Sequence, residues 1–278
     1  LFLAGVPLPE RRERVAQQLL HNPMPYVQRM LVSDIDNTLI GDRAGLAALV
    51  RVLRERPPSD GFGVATGRHL PSALEVLRQS RVTLPDVLIT AVGSEIHYGP
   101  DLRPDVGWQR HIQHLWRRDA LASVFDGLPG LTLQSADQQS EFKLSFLADP
   151  ATMPSLREID MRLRERRLRA NLIYSHQAYL DVLPIRASKG QAIRYLAYKW
   201  DLPLRAFLVA GDSGNDLEML VGDTQAVVVS NHSAELDKLR GMDQVYFAGT
   251  PCASGILEGM AHYGFVGQFR PDQQPKAA

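Results

Sequence analysis

The stretch MLVSDIDNTL, residues 30–39, decides the fold of this chain. Its first residues are mainly apolar, which is typical of a strand buried inside a parallel sheet. Asp34 and Asp36 follow, and functional groups in open parallel sheets collect at the carboxyl ends of the strands. Two carboxylates this close repel one another unless a cation or a proton intervenes, and Mg²⁺ prefers oxygen ligands. The alternative is a turn in which an aspartate caps a helix.

Strands and helices alternate on both sides of this stretch, which predicts a parallel sheet with right-handed crossovers. We therefore predict an α/β fold with a doubly wound, Rossmann-like parallel-sheet core. The predicted strands of the core are residues 30–35, 61–67, 86–96, 206–212 and 226–230, and its predicted helices are residues 45–56, 70–80, 189–200 and 215–222.

The alternating pattern is interrupted after residue 100 by segments in the order α-β-β-α-β-β, which predicts an inserted α+β cap. The segments are a helix at 108–126, an antiparallel pair of strands at 131–135 and 142–148, an Arg-rich helix at 155–169, and strands at 170–175 and 178–184. The predicted division of the chain is a core at 30–100 and 185–267, a cap at 101–184 and a tail at 268–278.

Residues 1–29 precede the core and contain one predicted helix, residues 10–21, between prolines that break the chain on either side. We interpret this segment as a tether or as the end of a preceding domain. The first residue is Leu1 and not a methionine, which favours the second interpretation.

The composition excludes several classes of protein. The 278 residues carry 31 Lys and Arg against 31 Asp and Glu, so no basic excess points to a nucleic-acid binder. No apolar run approaches the roughly 20 residues of a membrane-spanning helix. A single cysteine, Cys252, excludes a multi-cysteine zinc site and an internal disulfide framework. We predict a cytoplasmic protein with a small-molecule partner, and neither a nucleic acid nor a membrane.

Three further motifs lie where a strand ends or a helix begins. Thr66-Gly67-Arg68 offers a hydroxyl and backbone N–H groups suited to phosphate, or a simple helix cap. Gly211-Asp212-Ser213-Gly214-Asn215-Asp216 places two more acids around a glycine turn, suited to a metal or to a capped turn. Lys189 begins a helix, where a cation opposes the helix dipole, and this indicates a nearby anion or a solvated surface lysine.

The order of these four motifs resembles the haloacid dehalogenase superfamily of phosphatases, in the subgroup with a large α/β cap (type C2). Four stretches more closely resemble sucrose-phosphate phosphatases and the phosphatase-type domain at the C-terminal end of sucrose-phosphate synthases. They are Ser33–Thr38, Ala91–Ile96, Leu183–Gly190 and Gly211–Asp216. One departure is Ser140-Glu141-Phe142-Lys143, where the family more often has Asn-Pro-aromatic-Lys.

The resemblance implies a division of roles that the residues alone leave open, since they do not say whether Asp34 or Asp36 attacks. By resemblance, Asp34 is the nucleophile, Asp36 the acid and base, and Thr66 and Lys189 hold the phosphoryl group. Mg²⁺ is then held by the Asp34 side chain, the Asp36 carbonyl and Asp212, with Asn215 and Asp216 fixing the surrounding waters. The full set of expected substrate contacts is Thr66, Gly67, Arg68, Gly93, Ser94, Glu95, Lys143, Lys189 and Asn215, with Tyr179 as a further candidate.

The function that this resemblance implies is Mg²⁺-dependent hydrolysis of sucrose-6-phosphate, by a phosphatase domain that belongs to, or associates with, a synthase glycosyltransferase. Two alternatives remain open. One is a related phosphatase for trehalose-6-phosphate, glucosylglycerol phosphate or mannosylglycerate phosphate. The other is a non-catalytic domain that binds sugar phosphates. Among the candidate residues, Glu95 and Lys143 are the ones that we expect to recognise the sugar, because carboxylate and ammonium groups bind hydroxyls.

Overall fold

The computed structural model describes residues 26–266. Its strands are β1 (Arg29–Ser33), β2 (Asp60–Ala65), β3 (Val87–Thr90), β4 (Glu95–Tyr98), β5 (Arg103–Pro104), β6 (Leu131–Leu133), β7 (Leu144–Ala148), β8 (Asn171–Ser175), β9 (Tyr179–Leu183), β10 (Phe207–Gly211), β11 (Gln225–Val228) and β12 (Val245–Phe247). Its α-helices are α1 (Arg43–Glu55), α2 (Leu70–Gln79), α3 (Val106–Ile112), α4 (Arg118–Phe125), α5 (Leu156–Glu165), α6 (Lys189–Trp200), α7 (Leu217–Leu220) and α8 (Cys252–His262).

The large sheet has eight strands in the order β12-β11-β10-β1-β2-β3-β4-β5. The six strands from β12 to β3 are parallel, and β4 and β5 extend the sheet in antiparallel fashion. The chain moves outward from β1 in both directions, so the sheet is doubly wound around β1. The predicted α/β class is confirmed, with a sheet that is mixed at one edge.

Helices cover both faces of this sheet because the strand residues alternate between two hydrophobic clusters. Met30 and Val32 of β1 pack on the face that α3, α6 and α7 cover. Leu31 packs on the other face, against α1, α2 and α8. A strand buried on both faces has apolar residues at every position, which is the pattern from which β1 is predicted.

The cap is a separate antiparallel sheet in the order β6-β7-β9-β8. On β7, Leu144, Phe146 and Ala148 pack against α4 and α5 in a third hydrophobic cluster. The alternate positions, Ser145 and Leu147, line the space between cap and core. Because side chains of a strand alternate between its faces, the cap sheet has one apolar face and one face of mixed polarity.

Three predicted elements differ from the structure. The predicted strand 86–96 is two strands, β3 and β4, because a turn at residues 91–93 reverses the chain, with Ala91 and Val92 at φ of 49° and 59°. The predicted helix 108–126 is two helices, because Leu115 at φ 61° interrupts it. The predicted helix 155–169 ends at Glu165, because Arg167 at φ 56° turns Leu168 back toward the cap cluster.

The two helices that replace residues 108–126 pack in different places. Trp108 and Ile112 of α3 belong to a core cluster, and Leu121 and Phe125 of α4 belong to the cap cluster. The division of the chain at residues 100 and 185 stays a prediction. The packing shows that α4 is the first helix after residue 100 to contribute to the hydrophobic cluster of the cap.

Two elements at the end of the core, the strand β12 and the helix α8, were not predicted from the sequence. The predicted helix 10–21, most of the predicted N-terminal segment 1–29 and the predicted tail 268–278 lie outside the described residues. Between residues 26 and 266, no helix combines the length and the apolar character that crossing a membrane requires.

Candidate active site

Three of the predicted site residues follow neighbouring parallel strands. Asp34 follows β1, Thr66 follows β2 and Asp212 follows β10. Ser33 at the end of β1 pairs in register with Val64 on one side and with Ala210 on the other. The carboxyl ends of the three strands therefore lie at one edge of the sheet, and they place the three side chains around a common point.

The turn after Asp34 separates the two motif aspartates. Residues 35–39 form a single wide turn that closes with a hydrogen bond from Ile40 N to Ile35 O at 2.9 Å. Asn37 has a φ of 57° there, a left-handed conformation that asparagine tolerates better than most residues. As a result Asp34 is buried, whereas the Asp36 side chain is 44% exposed.

Lys189 is fully buried at the start of α6, and all three of its ammonium hydrogens have acceptors. Its Nζ donates to Asp34 Oδ1 at 2.7 Å, to Asp216 Oδ1 at 2.7 Å and to Asn215 Oδ1 at 2.6 Å. A lysine at a helix N-terminus is unfavourable for the helix dipole, and the two carboxylates supply the anion that this position indicates. Lys189 therefore joins the β1 motif to the motif after β10.

The glycine turn after β10 is held by Asp216. Its Oδ2 accepts hydrogen bonds from the backbone N–H groups of Asp212 at 3.0 Å and Ser213 at 3.1 Å. Both Asp216 oxygens are thus engaged by protein donors. Asp212 Oδ1 accepts from Thr38 Oγ1 at 3.0 Å. Within residues 26–266, no side chain or N–H group donates to Oδ2 of Asp34 or of Asp212, so these are the two carboxylate oxygens free to act.

The acidic cluster has more negative than positive charge. Three buried carboxylates, Asp34, Asp212 and Asp216, face one ammonium group, that of Lys189. Burial raises the pKa of Asp34 well above its usual range; Lys189 opposes that rise, and Asp216 and Asp212 add to it. Burial and Asp216 raise the pKa of Asp212 to about 7. Burial lowers the pKa of Lys189, but Asp216 and Asp34 outweigh burial and raise it overall.

These carboxylates fit a divalent cation. One oxygen from each of Asp34, Asp212 and Asp216 lies within 4.8 Å of the others. A divalent cation prefers oxygen ligands and would offset the negative charge of these buried carboxylates. The Asp36 side chain is not part of this group. Among the predicted metal residues, Asn215 also uses its side-chain oxygen to accept from Lys189.

Arg68 and Asp36 form a two-pronged ion pair at the mouth of the site. Arg68 Nε donates to Asp36 Oδ2 at 2.7 Å and NH2 donates to Oδ1 at 2.8 Å. Arg68 NH1 also donates to Ser72 Oγ at 2.8 Å. The hydrogen bonds to Asp36 raise the pKa of Arg68, so the guanidinium stays charged. Arg68 thereby fixes the direction in which the Asp36 carboxylate points.

A cavity of about 500 Å³ separates this edge of the sheet from the cap. Most of its lining is polar. The lining residues are Asp34, Asp36, Gly67, Arg68, Ser72, Gln134, Gln138, Lys143, Ser145, Leu147, Ser175, His176, Tyr179, Asp181, Ser213 and Asn215. The structure thus brings Lys143 and Tyr179 of the cap to the same space as the core motifs. Thr66 is buried beside the cavity, where its Oγ1 accepts from Arg68 N at 3.2 Å.

Gly93, Ser94 and Glu95 lie elsewhere. None of them is among the lining residues of this cavity. Glu95 accepts a hydrogen bond from Thr90 Oγ1 at 2.8 Å across the β3–β4 pair. Gly93 has a φ of +95°, and a Cβ there would lie 2.4 Å from the backbone N of Lys189. The turn therefore packs against the start of α6, and its contact is with the backbone that positions Lys189.

Most of the cap residues that line the cavity were not predicted from the sequence. One of them is Asp181, a buried carboxylate that lies opposite Ser145 in the β7–β9 register. A signal was present, because Lys143 and Ser145, and then Tyr179 and Asp181, alternate with apolar residues. Period-two alternation identifies the polar face of a strand, but the fact that this face meets the core emerges only from the folded chain.

Comparisons with known proteins agree with this geometry. The family model of sucrose-6F-phosphate phosphohydrolases matches residues 27–264. Sucrose-phosphatase 2 of Nicotiana tabacum is 33% identical over 249 residues, which are 84% of this chain and 58% of the tobacco protein. This chain therefore spans little more than half the length of that relative. Glucosylglycerol-phosphate synthase of Pseudomonas anguilliseptica is 30% identical over 86% of this chain and 31% of its own length.

A solved structure of similar sequence is the sucrose-phosphatase of Synechocystis, determined in complex with sucrose and phosphate. It is 34% identical, superposes with a TM-score of 0.81, and the match covers 86% of this chain and 98% of that one.

Proposed function

The chain belongs to the sucrose-6F-phosphate phosphohydrolase family of the haloacid dehalogenase superfamily, and on that premise we propose that it is a Mg²⁺-dependent phosphatase that hydrolyses sucrose-6-phosphate to sucrose and phosphate. The observation that carries this proposal is the cavity between core and cap. One wall includes Asp34 and Asp36, with the buried Lys189 bonded to Asp34 behind it, and the other wall is the face of mixed polarity of the cap sheet. Its volume of about 500 Å³ falls within the usual range of small-molecule sites.

In the proposed reaction, Asp34 is the nucleophile. Its free Oδ2 forms a bond to phosphorus while the bond between phosphorus and the sugar oxygen breaks, which gives an aspartyl phosphate and the sugar. Asp36 enters this step protonated on one oxygen, with the other oxygen still accepting from Arg68, and it gives that proton to the departing sugar oxygen. Asp36 then takes a proton from the water that attacks the aspartyl phosphate and releases phosphate. The Asp36 side chain is exposed to the cavity, as an acid that meets the substrate must be.

Lys189 supports this step by holding Asp34. Because its three donors are already used, Lys189 contacts the phosphoryl group only by exchanging one of its present acceptors. The Thr66 hydroxyl accepts from Arg68 N, and its own hydrogen is available to a phosphoryl oxygen. Asp34, Asp212 and the Asp36 carbonyl would hold Mg²⁺, with Asp216 and Asn215 alongside. The bound ion supplies charge neutralisation for the phosphoryl oxygens.

The substrate proposal is tested with a panel of sugar phosphates ranked by kcat/KM in the presence of Mg²⁺. The panel is sucrose-6-phosphate, trehalose-6-phosphate, glucosylglycerol phosphate and mannosylglycerate phosphate. We expect sucrose-6-phosphate to rank first. A first rank for another member keeps the chemistry and replaces the substrate, whereas binding without phosphate release from any member favours a non-catalytic domain.

A second candidate substrate is glucosylglycerol phosphate, favoured by the similarity to a glucosylglycerol-phosphate synthase. The match covers 31% of that protein, so the same similarity supports an association of this domain with a glycosyltransferase. We propose that such a synthase domain is the partner of this chain, in the same polypeptide or in a complex. A cytoplasmic location belongs to the same proposal.

Proton release accompanies Mg²⁺ binding in this proposal. Because the pKa of Asp212 is raised to about 7, the metal-free site holds a proton below that pH, and Mg²⁺ must displace it. We expect the affinity for Mg²⁺ to rise between about pH 6 and pH 8, with release of protons at the acid end, because the pKa values of Asp34 and Asp212 are both raised. Calorimetry in two buffers of different ionisation enthalpy measures both quantities. An affinity that is flat across this range contradicts the expectation.

Removal of Arg68 tests the orientation of Asp36. In Arg68→Ala the carboxylate loses both hydrogen bonds, and we expect kcat to fall about 10- to 100-fold because the acid is misplaced. The free energy of unfolding should change by less than about 1 kcal/mol, because a half-exposed ion pair contributes little. Arg78→Ala, which breaks the exposed Arg78–Glu75 pair, is the matched control and should leave kcat as it is. Equal kcat in both variants would contradict the role of Arg68.

A further inference from the structure

We propose that Asn231 and Glu235 are positioning residues of the active site, which fix the turn after β1 and the turn after β10 to a single segment of the chain. That segment, residues 229–235, follows β11, the parallel neighbour of β10. It therefore lies at the same edge of the sheet as Asp34 and Asp212. The inference deepens the proposed phosphatase function and rests on it, because it concerns how the proposed acid and metal ligands are held.

Asn231 ties the turn that carries Asp36 to the start of α8. Its Nδ2 donates to the backbone carbonyl of Asn37 at 2.7 Å, and its Oδ1 accepts from the backbone N–H of Cys252 at 2.9 Å. A primary amide donates at one end and accepts at the other, so only one orientation of the side chain makes both bonds. Asn37 directly follows Asp36 and is the residue of that turn with a left-handed φ. The bond therefore restrains the peptide next to the proposed acid.

The turn also packs closely on α8. Gly41 lies at its end with a φ of +126°, and a Cβ there would lie 2.7 Å from Cys252 Sγ. Asn231 and Asn37 are both exposed, so water can replace the bond between them. Loss of this bond should therefore change the position of the turn more than the stability of the fold.

Glu235 holds the glycine turn between Asp212 and Asp216. Its Oε2 accepts from the backbone N–H of Gly214 at 2.7 Å and from Ser233 Oγ at 3.1 Å. The backbone N–H of Ser233 donates in turn to the carbonyl oxygen of Asp212 at 2.7 Å. A carboxylate makes a stronger bond to a backbone N–H than a neutral acceptor does. Glu235 thus fixes the loop that carries Asp212 from the side away from the sheet's central strand.

One segment therefore contacts the backbone of both turns that would hold Mg²⁺. Groups that orient metal ligands change the affinity for the ion even though they do not touch it. A displaced Asn37 moves the carbonyl and the carboxylate of Asp36 together. A displaced Gly214 acts on Asp212 and not on Asp36. The two positioning residues should therefore share an effect on Mg²⁺ binding and differ in their effect on the proposed acid.

The first measurement is the affinity for Mg²⁺ by calorimetry at constant pH. We expect Kd to rise about 10-fold in Asn231→Ala and in Glu235→Ala, at the lower end of the range for groups that orient metal ligands. Glu235→Gln keeps an oxygen that can accept from Gly214, and it should stay within about threefold of the wild type. Asp243→Ala, which removes an exposed carboxylate elsewhere, is the matched control and should bind Mg²⁺ as the wild type does.

The second measurement is kcat/KM with phenyl phosphate and with p-nitrophenyl phosphate. The two esters differ little in shape, but phenolate is the poorer leaving group and depends more on the proton of Asp36. In Asn231→Ala we expect the ratio of phenyl to p-nitrophenyl phosphate to fall about 10-fold. In Glu235→Ala both values should fall together and the ratio should stay that of the wild type. Partial unfolding would lower both values equally without changing the ratio or the Mg²⁺ affinity.

The outcomes treat the two residues separately. A wild-type ratio or a wild-type Mg²⁺ affinity in Asn231→Ala overturns the role of Asn231, and a wild-type Mg²⁺ affinity in Glu235→Ala overturns that of Glu235. Equal losses in Glu235→Gln and Glu235→Ala show that the charge acts at a distance, which also overturns positioning by Glu235. Glu235→Asp, which has a shorter reach, replaces Glu235→Ala if that variant does not fold.

The panel of sugar phosphates decides the proposed function independently of these variants. If the wild type hydrolyses no member of the panel but the Mg²⁺ affinities change as expected, the proposed function is wrong and the positioning of the metal ligands stands. If the wild type hydrolyses neither aryl phosphate, the Mg²⁺ affinities alone decide the inference. A wild type that binds no Mg²⁺ overturns both.

Discussion

Asp34→Asn should abolish turnover and leave the metal-free protein at least as stable as the wild type. The loss of activity follows from the removal of the proposed nucleophile, and we expect it to be on the order of 10⁴-fold or more, as for other residues that act as one unit. No phosphoenzyme should be trapped. The substitution acts in opposite directions on activity and stability because Asp34 lies in a site with an excess of buried negative charge.

The effect on stability has a definite pH dependence. The folded state raises the pKa of Asp34, so the wild-type protein binds a proton there more readily than the unfolded chain does. A group of this kind destabilises the fold progressively as pH rises above its unfolded pKa of about 4. Asparagine has nearly the same shape and no charge, and Asp216 still accepts from Lys189. The unfolding temperature of Asp34→Asn should therefore equal that of the wild type near pH 4 and should exceed it by a growing margin toward neutral pH.

The measurements are kcat, phosphoenzyme trapping, and thermal unfolding in a metal chelator across this pH range. Asp36→Asn is the matched control, since its side chain is exposed and lies outside the acidic cluster. It should form the phosphoenzyme slowly, because the sugar oxygen leaves without a proton donor, and should fail to hydrolyse it, because the attacking water has no base, so the phosphoenzyme is still trapped. Trapping in Asp34→Asn and its absence in Asp36→Asn would reverse the assignment of nucleophile and acid.

Lys189→Met should be the most destabilising single substitution in the site. Methionine fills a similar volume but leaves Asp34, Asp212 and Asp216 buried without a cation. Removing one partner of a buried ion pair costs roughly 3–5 kcal/mol, because the remaining charge has no compensation. Denaturant unfolding near pH 7.5 measures this loss. Lys238→Met, which removes an exposed lysine, should change the free energy of unfolding by less than about 0.5 kcal/mol.

Two conditions should restore stability to Lys189→Met. Without the lysine, the carboxyl pKa values of the folded state rise further. The stability of the variant therefore increases as pH falls and the acids bind protons. Adding Asp216→Asn removes one of the uncompensated charges, and the double variant should unfold at higher denaturant concentration than Lys189→Met alone. If Lys189→Met alone is as stable as the wild type at every pH, Lys189 does not compensate the negative charge of these acids.

The local motifs were predictable because they depend on neighbours in the sequence. The helix that begins at Lys189 has the predicted bounds, residues 189–200, and the strand before Asp34 lies where its apolar run indicates. The strand has a continuous apolar run and the helix has apolar residues at helical spacing, and both patterns can be read directly from the sequence. The turn at residues 91–93 was not predictable in this way, because apolar residues continue through it and only the φ values of Ala91 and Val92 reveal the reversal.

The sequence by itself determined the α/β class, the acids that end the central strands and the lysine that begins α6. Only the tertiary structure decided which of these side chains meet. Lys189 and Asp34 are 155 positions apart, and Asp181 and Ser145 are 36 apart, yet each pair is in contact. The tertiary structure also places Glu95 beside Thr90 and away from the cavity, whereas it places Asp181 in the lining of the cavity. The physical reason is that periodicity records which face of an element is buried, whereas strand order and the docking of the cap determine what that face is buried against.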